Sequence, residues 1–126
     1  MIVKVLSVQE PYASLIVDGF KFAETRSWAT NFRGRLYIQA SKKEYPGWKQ
    51  NPNVNWSIPS KERGYIIGYV DVIDCVKANE ITDKNEMKLG FYGEDRYAWV
   101  LQDAHRIKPV ECKGKLGLFN FEMEEN

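Results

Sequence analysis

Residues 6–28 read LSVQEPYASLIVDGFKFAETRSW, and the punctuation of this stretch decides the architecture. Residues 3–8 form a short first strand. Pro11 suits the first turn of a helix, where a missing N–H costs nothing, and Tyr12, Leu15 and Ile16 give that helix an apolar stripe. Gly19 ends it. Residues 21–28 then read as a second strand that opens with Lys21, Glu24 and Arg26. Three charges at the start of an otherwise apolar element point to a lined pocket. On a regular strand Lys21, Ala23 and Thr25 share one face and Phe22, Glu24 and Arg26 the other. Lys21 and Glu24 therefore converge only if the chain bends near Phe22, and the entry from Gly19 offers the place. The competing reading makes Glu24 and Arg26 a structural ion pair and leaves Lys21 in water.

Working outward, residues 31–34 form a turn and residues 35–41 a strand with Leu36, Ile38 and Ala40 on one face. Residues 41–63 are a long irregular excursion with Pro46, Gly47, Pro52 and Pro59, and such excursions in small domains often carry function. Residues 65–76 read as a long strand, apolar on both faces except at Asp71 and Asp74, as expected in a barrel or a sandwiched sheet. Residues 80–93 are a polar crossover. Residues 97–101 and 116–121 close the fold, joined by an arm through Pro109. The pattern predicts an α+β fold: a small mixed β-barrel of five to six strands with an early short helix, in a single domain over residues 1–126. A chain of 126 residues, 44% of them hydrophobic, is large enough for one core of that kind.

The formal net charge is only +1, so bulk charge announces no polyanionic partner; its distribution says more. Between Arg26 and Arg63 eight Lys and Arg face two acids, whereas Glu80, Asp83, Glu86, Glu94 and Asp95 collect later. A basic face and an acidic face follow, unless the clustering merely decorates a solvated surface. Cys75, in an apolar run, reads as a buried thiol. Cys75, Cys112 and His105 have no metal-ligand spacing, and neither a metal nor another cofactor is expected. No signal peptide or membrane-length apolar run is present, so a cytoplasmic protein without a membrane partner is expected.

Two further features carry chemistry. Asp71 interrupts the series Tyr65, Ile67, Tyr69, Ile73; it sits either at a barrel mouth on an edge or buried with a partner, for which Lys21 or Arg26 are candidates. A carboxylate beside a partly desolvated lysine can support proton transfer. Arg33, Arg35, Lys42, Lys43 and Lys49 also interleave with Tyr37, Tyr45, Trp48 and Trp56. Cations that follow phosphates and rings that stack on bases are the parts of single-strand recognition. Asn31 and Gln39 add hydrogen-bonding edges, Trp28 and Trp99 read as core, and His105 reads as a surface-loop residue.

With these residues in view, QEPYASLIVDGFKFAETRSW, FRGRLYIQASK, GYIIGYVDVIDC, YAWVLQ and KGKLGLFNF together resemble the ASCH domain family over nearly the whole chain. The most specific part is GFKFAETR, which matches the family's G-x-K-x-x-E-x-R signature. The resemblance implies a PUA-like β-barrel and an RNA-related role, with the site between the early helix and the barrel. One bacterial branch hydrolyses N4-acetylcytidine with a lysine, a threonine and a glutamate. Lys21 matches the lysine, Glu24 stands where the threonine is, and Asp71 is the nearest match to the glutamate. Ribonuclease activity is also attributed to the family. Where this chain has Gln39, many members carry histidine.

Three functions therefore stand as expectations. The first is a module that binds RNA, single-stranded nucleic acid or another nucleotide-bearing ligand. Lys21, Glu24 and Arg26 line its pocket, Arg33, Arg35, Gln39, Lys42 and Lys43 engage the strand, and Tyr45 and Trp48 stack. The second is a hydrolase of a modified nucleoside or of RNA that uses Lys21, Glu24 and Asp71. The third is a protein-interaction module. Oligomeric state is left open.

Overall fold

A computed structural model of the chain describes residues 1–43 and 62–124. Among the described residues there are six strands: β1 (Ile2–Val8), β2 (Ala23–Arg26), β3 (Gly34–Ala40), β4 (Tyr65–Lys77), β5 (Tyr97–Glu111) and β6 (Leu118–Glu122). Helix α1 (Tyr12–Val17) follows β1, and a 3-10 turn (Ala78–Glu80) and the short helix α2 (Lys84–Met87) precede β5. The strands form one curled sheet in the order β2-β5-β4-β3-β1-β6, in which only β1 and β3 run parallel. This curled α+β sheet of six strands with an early helix bears out the small mixed barrel read from the sequence.

Helix α1 stops where Gly19 adopts φ +81°. Gly19 N–H then bonds to Ile16 O at 3.1 Å and Phe20 N–H to Leu15 O at 2.9 Å. These two bonds satisfy carbonyls that a helix end otherwise leaves bare. At the other end, the buried Glu10 carboxylate accepts Ser14 N–H at 2.8 Å and Ser14 Oγ–H at 2.6 Å. The helix lays Ala13, Ile16 and Val17 against Leu6, Leu36, Ile38, Ile67, Val70 and Trp99, which form the main core. Val3, Val5, Tyr37, Ile66, Cys112 and Phe119 pack as a second core cluster.

Two expectations about element length change. β2 begins only at Ala23, because Lys21 N–H is still bonded back to Leu15 O at the helix end. β5 runs past Leu101 and through Pro109 to Glu111. The ladder with β4 breaks register between Ile66 and Gly68, opposite Arg106 to Val110, and this irregularity accommodates a residue that cannot donate. A further break opposite Asp103, at φ 54°, bends β5.

Those irregularities also overturn the simple alternation read along residues 65–73. Ile67 packs in the main core, whereas Ile66 lies in the second cluster with Tyr69 against it. Beyond Val72 strand β4 has no β3 partner, so Ile73 is exposed and Cys75 only half-buried; Cys112 is the buried thiol, and both are free. Burial pushes the Cys112 thiol up from its ordinary value. Trp99 is wholly buried, but Trp28 lies past the end of β2 and meets it only edge-on, with ring centroids 4.9 Å apart. His105 is exposed on strand β5, stacked at 5.0 Å on Tyr69, rather than in a loop. Among the described residues no helix is long and apolar enough to cross a membrane.

The approach of α1 to the sheet depends on Gly68. A Cβ placed there would lie 2.3 Å from His105 O and 2.7 Å from Val17 Cβ. Gly68→Ala is expected to cost about 1–3 kcal/mol of stability, seen as a melting temperature lowered by several degrees. An unchanged melting curve would show that β5 can move away.

Candidate functional site

The chain bends where the alternation required it to. Lys21 and Phe22 lie between the helix cap and β2, and this turns the Lys21 ammonium inward, where it is 3% exposed. It donates to Glu86 Oε2 at 2.5 Å and to Tyr92 Oη at 2.8 Å. Glu86 Oε1 accepts the Phe22 backbone N–H at 2.6 Å, and the Tyr92 hydroxyl donates to Glu86 Oε2. Glu86 itself is held by α2, whose N-terminal Asp83 accepts the Glu86 N–H at 2.9 Å. Burial, and then the hydrogen bond to Glu86, raise the Tyr92 phenol above its ordinary range, so it stays protonated.

Glu24 is nearly buried, and its Oε2 accepts Arg26 Nε–H at 2.9 Å. Arg26 also donates to Ser7 O at 2.8 Å, which ties β2 to β1 across the sheet. The structural ion pair and the lined pocket thus coexist. Lys21, Glu24 and Arg26 all line one cavity of about 630 Å³, together with Tyr12, Lys88, Phe91, Arg96 and Lys115. Five cations and one carboxylate face it, and Phe91, 64% exposed, stands at its lip. An ammonium has three donors. Two of those on Lys21 are used by protein, and Glu24 Oε1 accepts no protein hydrogen bond among the described residues. A donor and an acceptor are therefore left for a ligand in the same hollow.

The remaining predicted residues divide. Gln39, Lys42 and Lys43 line a second cavity of about 840 Å³ with Arg63, Lys113 and Lys115. Arg33 and Arg35 line neither cavity: Arg33 bonds to Thr30 O and Phe32 O, and Arg35 lies 4.1 Å over the Tyr69 ring. Asp71 is opposite Arg35 in the β3–β4 ladder and does not join Lys21 and Glu24. The irregularities in β4 separate it from the side of the sheet that holds them. Tyr45, Trp48, Lys49 and Trp56 lie outside the described residues. Glu86, Tyr92, Phe91, Arg96 and Lys115 escaped the sequence reading. Their one local signal was the acidic crossover itself.

Comparison with known proteins bears on the family and the fold. The ASCH domain family profile matches residues 6–111, and the chain belongs to that family. Activating signal cointegrator 1 of Homo sapiens is 34% identical over 94 residues, covering 63% of this chain and 15% of that protein; the Mus musculus protein matches with the same figures. The chain thus corresponds to a small part of those relatives' length. The ASCH crystal structure from Zymomonas mobilis superposes with a TM-score of 0.61 at 17% identity, covering 94% of this chain and 87% of that one. A tyrosine-to-phenylalanine mutant of the same Zymomonas mobilis protein gives 0.60, also at 17% identity, over 94% and 89%. At this identity the likeness shows the shared fold alone.

Two outcomes test the buried cluster. Lys21→Met alone is expected to cost about 3–5 kcal/mol, because it strands a buried carboxylate, while Lys21→Met with Glu86→Gln recovers most of that loss in urea unfolding. Strictly additive losses would show that the two groups are not coupled. A phenol whose folded pKa is raised stabilises the fold fully below its unfolded value, and that contribution is lost as pH climbs above it. Stability should therefore fall above about pH 10, and less steeply in Tyr92→Phe.

Proposed function

We propose that this ASCH-domain chain binds RNA, with one nucleotide seated in the cavity lined by Lys21, Glu24 and Arg26. The observation that carries the reading is the pairing of an unspent Lys21 N–H and an unspent Glu24 oxygen beneath a cationic rim. A ligand that satisfies both is polar, with an acceptor and a donor on one edge. The excess of positive charge around them favours an anion, and the exposed Phe91 ring offers a stacking face. A base edge, a phosphate and an aromatic plane are together the attributes of a nucleotide. A small carboxylate or sugar phosphate would leave Phe91 without purpose. Lys88, Arg96 and Lys115 take the place at this cavity that the sequence had offered to Arg33 and Arg35.

Lys21 and Glu24 in one cavity also support a second reading, hydrolysis of a modified nucleoside, with Glu24 handling the proton and the Lys21 cation stabilising developing negative charge. Asp71 has no part in it. Release of acetate from N4-acetylcytidine by the wild-type protein and not by Glu24→Gln would favour hydrolysis over binding alone.

Binding of short single-stranded RNA, followed by fluorescence anisotropy, should weaken with salt at a log–log slope of about −0.7 per phosphate contact. Lys88→Ala is expected to flatten that slope. Phe91→Ala should weaken binding by about 1–3 kcal/mol with the slope unchanged. Affinity indifferent to salt and to Phe91 would remove the basis of the reading.

A further inference from the structure

Leu116 is 99% exposed, more than any other large apolar side chain among the described residues. It stands in the loop between β5 and β6, within the run KGKLG at residues 113–117. Gly117 turns the chain at φ +66°, a conformation that favours glycine. The turn backs onto Trp28, whose Cζ2 lies 4.0 Å from the place a Gly117 Cβ would take. Trp28 is itself set edge-on against Trp99, which donates its Nε1–H to Trp28 O at 3.3 Å. The bend is thus braced from behind, while the leucine it carries stands in water. A lone apolar side chain on a surface is ordinary. This one differs in its place: Leu116 lines both cavities and so stands on the wall they share.

The two hollows differ in kind. The first holds Lys21 and Glu24 with Phe91 at its lip, an arrangement suited to a flat polar ring. The second is lined by Lys42, Lys43, Arg63, Lys113 and Lys115, against the single acid Glu111 among the described residues. That arrangement suits a run of phosphates. Between the two, a branched aliphatic side chain projects into solvent beside Lys115. Apolar side chains of this kind enter the step between two bases and unstack it, and the cost is offset by the added contact with the bent strand. Resting on the reading that the first cavity holds one nucleotide of an RNA strand, we propose that Leu116 is a wedge that parts this nucleotide's base from its neighbour, and that the backbone crosses the shared wall into the second cavity, where Lys113 and Lys115 meet its phosphates. Phe91 takes one face of the seated base, and Leu116 ends the stack on the side of the second cavity. The neighbouring base is turned outward, so the second cavity receives sugar and phosphate rather than a base edge.

The test uses a single-stranded RNA octamer with 2-aminopurine, a base that brightens when unstacked, at every other position. Leu116 and Lys113 are both exposed, so Leu116→Ser and Lys113→Ala should melt as the wild type does. The bound RNA is expected to brighten on the wild-type protein. Leu116→Ser should bind it about tenfold more weakly, without the brightening and with the salt dependence unchanged. Lys113→Ala should bring the log–log salt slope closer to zero by about 0.7, one phosphate contact, and keep the brightening. Either variant behaving as the wild type does overturns the path over Leu116; the reading of the first cavity then stands if Phe91→Ala still weakens binding. Brightening that persists in Leu116→Ser overturns the wedge as well. If the wild-type protein does not bind the octamer, the reading of the first cavity fails and takes this one with it.

Discussion

The grip of Glu86 on Lys21 is the constraint from which the rest of the site follows. An ammonium this deeply buried is tolerable only with an opposite charge held in good geometry. Glu86 supplies the charge, Tyr92 a second acceptor, and the Phe22 N–H fills the remaining carboxylate oxygen. One carboxylate thereby fastens the crossover before β5 to the entry of β2, across 65 residues of chain. With the crossover fixed, Lys88, Phe91 and Arg96 come to stand over the cavity. Without it, the lip would be an acidic loop with nowhere to dock.

The electrostatics then divide into two layers. Beneath, Lys21 with Glu86 and Arg26 with Glu24 are compensated pairs that shape the floor. Above, the cations of the rim face solvent with little opposing charge, so they hold potential for an incoming anion. A net charge near zero conceals this arrangement, because acids and bases are segregated by depth and by side rather than absent.

The signature GFKFAETR was legible because its logic is local: a glycine that must leave the helix, then charges where apolar residues would otherwise stand. The six strands and early helix were legible for the same reason. Glu86 was not, since a glutamate in a polar crossover looks like any solvated acid until the fold brings it to Lys21. Asp71 was misplaced because strand alternation is a rule for regular ladders, and the breaks in β4 and β5 leave no mark in the residues that precede them. Pro109 pointed to an arm between strands, yet a register break lets β5 continue past it. Gln39 could be named as a hydrogen-bonding edge, but its partner, the Cys112 carbonyl more than 70 positions away, could not.

Helix α1 is fastened at both ends, by Glu10 at its start and by the glycine turn at its close, and it rests on bare backbone at Gly68. Tyr12, at its first position, lines the cavity that holds Lys21 and Glu24. That wall is set when the chain folds, before any guest arrives. Binding of the proposed nucleotide would therefore have little backbone order left to impose on this side of the cavity, and the entropic toll would fall chiefly on the guest.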